Sequence, residues 1–337
     1  MTPSASRPLR LGLLGASRIA PKAVIRPAAE TRAGTALRVG ARDAARAEAY
    51  AREHDLARFG SYEDVLGDAE VDVVYNALPA SHHALWTIRA LEADKHVLCE
   101  KPFAMNADEA EAVLAASART GCRVIEAYHS RYHPLYRRFL AWMAAGRAGR
   151  VTRIEAGFDA PITRPGDIRH APETGGGAMM DLGCYALLWA RDAAGAEPDS
   201  VIAEASLRPE GVDEAVRARL SFPGGIEAVV LTDMGAQAER RNWLRVEGEA
   251  GRIDFGNPLA PQDGASLTLT RGGEVERAPA EEGTTYGHQL LALARGLETG
   301  ERLPTEGEAI LRQQRALDAV YAAAGLGELR RTRVPFG

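Results

Sequence analysis

The sequence predicts an α/β fold in two parts, a parallel doubly wound sheet followed by a largely antiparallel one. Three observations predict it. Strand-like apolar runs alternate with helical stretches from Leu9 to Ala127. The first of these runs ends in a glycine-bearing turn, Gly15 to Ala20, that opens a helix. After about Arg150 the rhythm changes to successive strands joined by Pro223-Gly224-Gly225 and Arg271-Gly272-Gly273. A chain of 337 residues suits about two domains.

The elements follow in order. Leu9 to Leu14 is a strand and Gly15 permits the tight turn after it. Pro21 and Pro27 predict a short or kinked first helix. Ala36 to Gly40 reads as the second strand, with Asp43 capping a helix from Ala44 to His54. Ser61-Tyr62-Glu63-Asp64 opens a short helix with a capping box. Val71 to Leu78 is a strand stopped by Pro79, and Ser81 to Ala93 a helix. His96 to Cys99 is a short buried strand, followed by a helix over Asp108 to Thr120 and a strand over Cys122 to Ala127. Beyond Arg150 the strands are Val151–Phe158, Ser200–Leu207, Ala215–Phe222, Ile226–Asp233, Trp243–Glu247 and Ser266–Thr270. Helices are expected over Ala178 to Ala193 and Glu306 to Ala324.

Composition narrows the function. The chain is 46% hydrophobic and 26% charged, with a net charge of -5, which gives no basic surface for nucleic acid. No apolar run approaches the roughly 20 residues of a membrane span, and the N-terminus has no apolar signal core. Cys99, Cys122 and Cys184 are odd in number and scattered, as in a reduced compartment, so a cytoplasmic protein is expected.

The chemistry-bearing stretch is Glu100-Lys101-Pro102, at the exit of the His96 to Cys99 strand. Lys and Glu are rarely buried unpaired, and open α/β folds bind ligands at the carboxyl ends of their strands. The turn Gly15-Ala16-Ser17-Arg18-Ile19-Ala20 matches a dinucleotide fingerprint with Ser17 and Ala20 at its second and third glycine positions. Asp181 and Tyr185 are one helical turn apart and share a face. The position that usually binds the adenosine ribose falls on Ala41, and Arg42 next to it suits a 2′-phosphate. NADP is therefore expected over NAD; a shifted frame that made Asp43 the ribose ligand would favour NAD. His129 and His133 have helical metal spacing without acidic partners, so no metal is expected. Arg164, Arg169 and His170 precede the glycine run and suit sugar hydroxyls or an acidic group.

Five stretches together resemble the glucose–fructose oxidoreductase, inositol dehydrogenase and rhizopine-catabolism family, Gfo/Idh/MocA. They are Leu11 to Ala20, Asn76-Ala77-Leu78-Pro79, Glu100-Lys101-Pro102, Arg131-Tyr132-His133-Pro134, and Gly175 to Tyr185. The resemblance implies a Rossmann dinucleotide-binding domain over 1–127. It implies an α+β domain over 128–337, with an open, mainly antiparallel sheet that binds substrate and packs against another subunit, and a last helix that packs back on the first domain. A homodimer or higher oligomer is expected, since the helices of the second domain are too few to cover both faces of its sheet. Cofactor contacts are implied at Gly15, Ala16, Ser17, Arg18, Ile19, Arg42, Leu78, Pro79, His83, Glu100 and Lys101. Tyr185, where many relatives have histidine, points to a branch acting on sugars, ketosugars or vicinal diols. The implied roles are Tyr185 as acid/base with a pKa lowered by Lys101, Lys101 as its activator and carbonyl polariser, Asp181 as substrate-orienting, Arg169 as a further substrate contact, and Glu100 as a support for the lysine or a cofactor contact. An NAD-dependent glycoside hydrolase and a non-catalytic nucleotide sensor are the alternatives.

Overall fold

The computed structural model describes residues 7–336. Its first sheet has six strands: β1 (Leu9–Leu14), β2 (Gly34–Gly40), β3 (Arg58–Gly60), β4 (Val73–Asn76), β5 (His96–Cys99) and β6 (Val124–Glu126). They run in the order β3-β2-β1-β4-β5-β6, and every pairing is parallel. All four residues of β4 are buried, as a strand covered on both faces requires. The order reverses between β1 and β4, which puts the switch point of the sheet beside the glycine turn.

Five helices, α1 (Arg26–Thr31), α2 (Ala44–Glu53), α3 (Tyr62–Leu66), α4 (His83–Glu92) and α5 (Ala107–Thr120), connect these strands. The first is broken as expected: a wide π turn over Pro21–Ile25 precedes a six-residue α1. Pro27 has no N–H to continue the ladder. Asp43 caps α2 by accepting from the Arg46 backbone N–H at 2.7 Å, and Ser61 and Asp64 complete the expected capping box on α3.

The second sheet has eight strands: β7 (Val151–Asp159), β8 (Ser200–Leu207), β9 (Asp213–Phe222), β10 (Ile226–Asp233), β11 (Arg241–Gly248), β12 (Gly251–Gly256), β13 (Ser266–Arg271) and β14 (Glu274–Arg277). The order is β14-β13-β12-β11-β7-β10-β9-β8, antiparallel except between β10 and β7. The helices α6 (Pro134–Ala144), α7 (Cys184–Ala194), α8 (Thr285–Thr299) and α9 (Glu308–Ala323) complete the chain. Phe139, Trp189 and Leu317 of α6, α7 and α9 are buried in one cluster with Val216, Val230 and Leu244 of the sheet. The opposite face is not the bare apolar patch that too few helices would leave. Strict alternation sends charges outward, and Asp254 pairs there with Arg245 and Arg252. Trp243 lies flat over Gly157 on that face, where a Cβ would stand 2.2 Å from its ring.

Five elements escape the sequence pattern: β3, β12, β14, α6 and α8. Strands β3 and β14 are too short to alternate, and β14 is exposed throughout. Helix α8 carries apolar residues at Tyr286, Leu290 and Leu293 and an N-cap at Thr284, a readable signal. Leu290 and Leu293 of α8 join the cluster holding Leu11 and Leu13, while Ile310 and Leu311 of α9 join the cluster on the other face of the first sheet. Thr305, just before α9, is pinned to β6 by its hydroxyl, which donates to the Glu126 carbonyl at 2.7 Å.

Glu126 itself is 1% exposed, and its Oε1 accepts from the Phe103 N–H at 3.0 Å. Burial pushes its carboxyl from the ordinary 4.5 up to about 8. The folded chain therefore prefers the protonated form. That preference contributes fully below about pH 4.5 and is lost as pH rises through about 8. Glu126→Gln keeps an acceptor for Phe103 and should melt higher than the parent at roughly pH 9 but not at roughly pH 5. Thermal melts at both values check this; an unchanged difference would show that Glu126 does not titrate.

Candidate active site

Strand β5 delivers Glu100 and Lys101 to the end of the sheet, and the Lys101–Pro102 peptide is cis. The facing wall is the start of the α7 helix, a wide π turn over Met179–Gly183 followed by α7 itself. Such turns recur at functional sites. The Lys101 ammonium donates to the Asp181 carbonyl at 2.7 Å and to Asp181 Oδ1 at 2.9 Å, across 80 residues of chain. It also stands 5.1 Å from the centre of the Tyr185 ring. Two of its three donors are thus engaged. Asp181 Oδ2 accepts from Arg169 Nε at 2.6 Å.

Electrostatics follow from this arrangement. Burial opposes the charge on Lys101, but Asp181 outweighs it and holds the lysine above its ordinary value. Burial likewise opposes the Asp181 carboxylate, yet Lys101 and Arg169 hold it at about 2. Asp181 is therefore ionised at neutral pH and serves as a fixed anion, with both oxygens bound to cations rather than open to substrate. Tyr185 corrects an expectation. Burial drives its phenol well above 10, and Tyr286 and Glu100 add to the rise. The Lys101 ammonium does not offset that rise: two of its donors are turned to Asp181. Tyr128 and Phe158 pack edge-on against the ring, at 5.2 and 6.1 Å between centroids.

These groups line one cavity of about 750 Å³. Ser17, Arg18, Ile19, Leu78, Pro79, His83, Glu100, Lys101, Arg164, Arg169, Asp181 and Tyr185 all reach it. Gly15 and Ala16 form the turn behind the wall, and Arg42 is exposed outside this lining. His83 is 2% exposed, its ring wedged between the carbonyls of Pro102 at 2.9 Å and Leu78 at 2.8 Å. Burial lowers it to about 4, so the neutral ring has one N–H for two carbonyls and braces the two loops. Glu100 Oε1 accepts from the Tyr75 hydroxyl at 2.6 Å beneath the lysine. His170 is buried against the Ile162 carbonyl at 2.9 Å and stays out of the cavity wall. His129 lines the cavity, but its Nδ1 bonds to the Thr285 hydroxyl at 2.8 Å, and burial lowers it to about 3. No group of metal-binding side chains is present among the described residues.

The turn fits a dinucleotide. Gly15 has φ of 95°, and a Cβ there would meet Leu78 at 3.3 Å. Among the described residues the backbone N–H groups of Ser17, Arg18 and Ile19 take no acceptor within the chain, and such groups at a helix start bind phosphate. Ser17 uses its hydroxyl to accept from Ala20 N–H at 3.3 Å. Two residues of α2, missed from sequence, fix the turn: Arg46 donates to the Ala16 carbonyl at 2.9 Å and Tyr50 to the Ser17 carbonyl at 2.8 Å. Asp213 is a third such residue. Its oxygens accept from Met179 N–H at 2.7 Å and the Tyr321 hydroxyl at 2.8 Å, which steadies the wide turn from behind. Gly177, at φ of 124°, makes room for it, since a Cβ would lie 2.1 Å from Asp213. No local pattern around Asp213 announces this role.

A dinucleotide-binding turn opening onto a paired lysine and a buried tyrosine defines a nicotinamide-dependent oxidoreductase. Residues 9–128 match the family model of an oxidoreductase family with an NAD-binding Rossmann fold, and residues 136–254 match the GFO/IDH/MocA C-terminal domain. D-xylose 1-dehydrogenase (NADP(+)) 2 from Haloferax volcanii is 34% identical over 95% of this chain and 98% of its own. Among solved structures, the aldose-aldose oxidoreductase from Caulobacter crescentus is 26% identical with a TM-score of 0.87, over 95% of this chain and 98% of its own. A 3-ketoreductase from Actinomadura kijaniata, solved with NADP, is 26% identical with a TM-score of 0.84, over 94% and 98% of the two chains. The chain belongs to the Gfo/Idh/MocA oxidoreductase family, as its motifs imply.

Removing the central anion tests the pairing. Asp181→Asn leaves Lys101 and Arg169 as facing cations without their carboxylate, and should cost about 3 kcal/mol of stability at neutral pH. Denaturant unfolding of both proteins measures it; a change below about 0.5 kcal/mol, the range of ordinary surface substitutions, would show that the pair contributes little.

Proposed function

We propose that the protein is an NADP-dependent oxidoreductase that transfers a hydride between the nicotinamide and a sugar, ketosugar or vicinal diol. The carrying observation is the Lys101 ammonium, fixed on Asp181 and 5.1 Å from the centre of the Tyr185 ring, in a cavity continuous with the dinucleotide turn. The cofactor, when bound, supplies or accepts the hydride. Lys101 has one donor left for the substrate oxygen. Tyr185 takes no hydrogen-bond partner among the described residues and keeps its proton through neutral pH. It is therefore an acid for carbonyl reduction: its proton passes to the substrate oxygen as hydride reaches the carbon, and the nearby ammonium stabilises the phenolate left behind. Alcohol oxidation runs the same path backward and first needs Tyr185 to lose that proton. Asp181, held by two cations, orients Lys101, and Glu100 supports it from below. Likeness to a D-xylose 1-dehydrogenase and an aldose-aldose oxidoreductase supports the substrate class. We also propose a homo-oligomer joined through the uncovered face of the second sheet, which exposes Ile202 among its charges.

A panel of aldoses, ketosugars and diols followed by nicotinamide absorbance tests the reading. On the substrate found, Lys101→Met should abolish turnover yet bind NADPH, and Tyr185→Phe should lose roughly 100-fold in kcat. Reduction should stay level between about pH 6 and 9 while oxidation rises over that range, because the phenol titrates above 10. Near-parental turnover in either variant would remove that residue from the mechanism.

Cofactor choice is assigned to Arg42. It is exposed after β2, while the Asp43 carboxylate is committed to capping α2. A guanidinium there pairs with a 2′-phosphate that a ribose-binding acid would repel. The ratio of kcat/KM with NADP to that with NAD should favour NADP and fall about tenfold or more in Arg42→Ala. An unchanged ratio would show that Arg42 does not read the phosphate.

A further inference from the structure

The Lys101–Asp181 pair is the inner end of a longer series of charges. Arg169 Nε meets Asp181 Oδ2 at 2.6 Å, and Arg169 Nη1 meets Asp167 Oδ1 at 3.1 Å. The other oxygen of Asp167 meets Arg18 Nη2 at 3.2 Å, across 149 residues of chain. Five alternating charges thus run from the dinucleotide turn, over the 160–175 segment, to the lysine at the end of β5. Asp167 is the hub. Its side chain is 4% exposed, it caps the short helical turn Ile168–His170, and its two oxygens are divided between two arginines. Arg18 by contrast has a side chain 68% exposed, on a turn whose backbone is open to an anion.

We propose that Asp167 is a positioning residue that couples the dinucleotide-binding turn to Lys101, an inference that rests on the oxidoreductase reading above. The physical reason is competition for one cation. A phosphate seated on the turn draws Arg18, since charge-assisted bonds to phosphate are strong. With five donors Arg18 holds the phosphate and Asp167 Oδ2 together, its grip on Asp167 weakened, so the buried carboxylate leans toward Arg169. Arg169 in turn shares itself between Asp167 and Asp181, and Asp181 fixes the ammonium. A carboxylate tied at both oxygens cannot move toward one partner without loosening the other. The state of the turn is therefore felt at Lys101, although Arg18 does not touch it.

Double-mutant cycles test the coupling, because residues joined in one network act non-additively. With saturating NADPH and the best substrate of the panel, Arg18→Gln should lower kcat about fivefold, within the range of coupling through packed networks. In an Asp167→Asn background the same substitution should change kcat by less than about twofold. Asp167→Asn should also move the oxidation profile to lower pH, since losing an anion leaves more positive charge near Tyr185, and Asp167→Glu should restore it. Equal fold-losses in both backgrounds, or an unmoved profile, would overturn the proposal. Where Asp167→Asn does not fold, Arg169→Gln breaks the same series one link further in and takes its place in the cycle. A parent that turns over no member of the panel would defeat the oxidoreductase reading instead. The relay is then read in NADPH affinity by tryptophan fluorescence. Arg18→Gln and Lys101→Met should be non-additive there by about fivefold, and additivity would overturn the coupling on its own.

Discussion

The ion pair between Lys101 and Asp181 is the interaction on which the rest of the site depends. It joins the end of a parallel strand to the first turn of a helix that lies on the other sheet. Their side chains are only 13% and 17% exposed, so neither charge would be tolerated there alone. The surrounding structure answers that demand. Arg169 supplies a second cation to Asp181, Asp213 steadies the turn that carries it, and Gly177 gives up a side chain so that Asp213 can approach. On the other side Tyr75 and Glu100 support the lysine strand, and His83 bridges the carbonyls of the two loops that frame it.

Burial and charge compete differently at the members of this cluster, and the outcome divides their labour. At Asp181 two cations at hydrogen-bond distance defeat desolvation and the carboxylate stays ionised. At Tyr185 the same ammonium is 5.1 Å from the ring and already bound, so desolvation wins and the phenol stays neutral. One group becomes a permanent anion and the other a proton carrier. A lysine beside a tyrosine does not by itself lower the phenol; where the ammonium's donors point decides it.

The strands and helices of the first sheet were largely legible, because parallel strands buried on both faces leave dense apolar runs and their helices carry caps such as Asp43 and Ser61. The motif-bearing residues Ser17, Lys101, Arg169, Asp181 and Tyr185 were legible too, and the fold brings all of them to one cavity. Arg46, Tyr50 and Asp213 were not. Each acts through a contact with a distant backbone group, and nothing in its own neighbourhood records that contact. His170, expected from its loop to suit a sugar hydroxyl or an acidic group, has its ring folded in against the Ile162 carbonyl, a contact that its neighbours in the chain do not record.

Local chemistry is what the chain determines by itself: where strands can form, where Gly15 must turn, and that Glu100-Lys101-Pro102 ends a buried strand. Family membership follows from the order of such motifs along the chain. Only the tertiary structure decides which charges meet. The two oxygens of Asp181 could face solvent, substrate or protein on any reading of the sequence; packing of the two sheets turns them to Lys101 and Arg169. The protonation state of Tyr185 follows from that choice, because desolvation and Coulomb attraction both depend on distances across separate elements rather than on spacing along the chain.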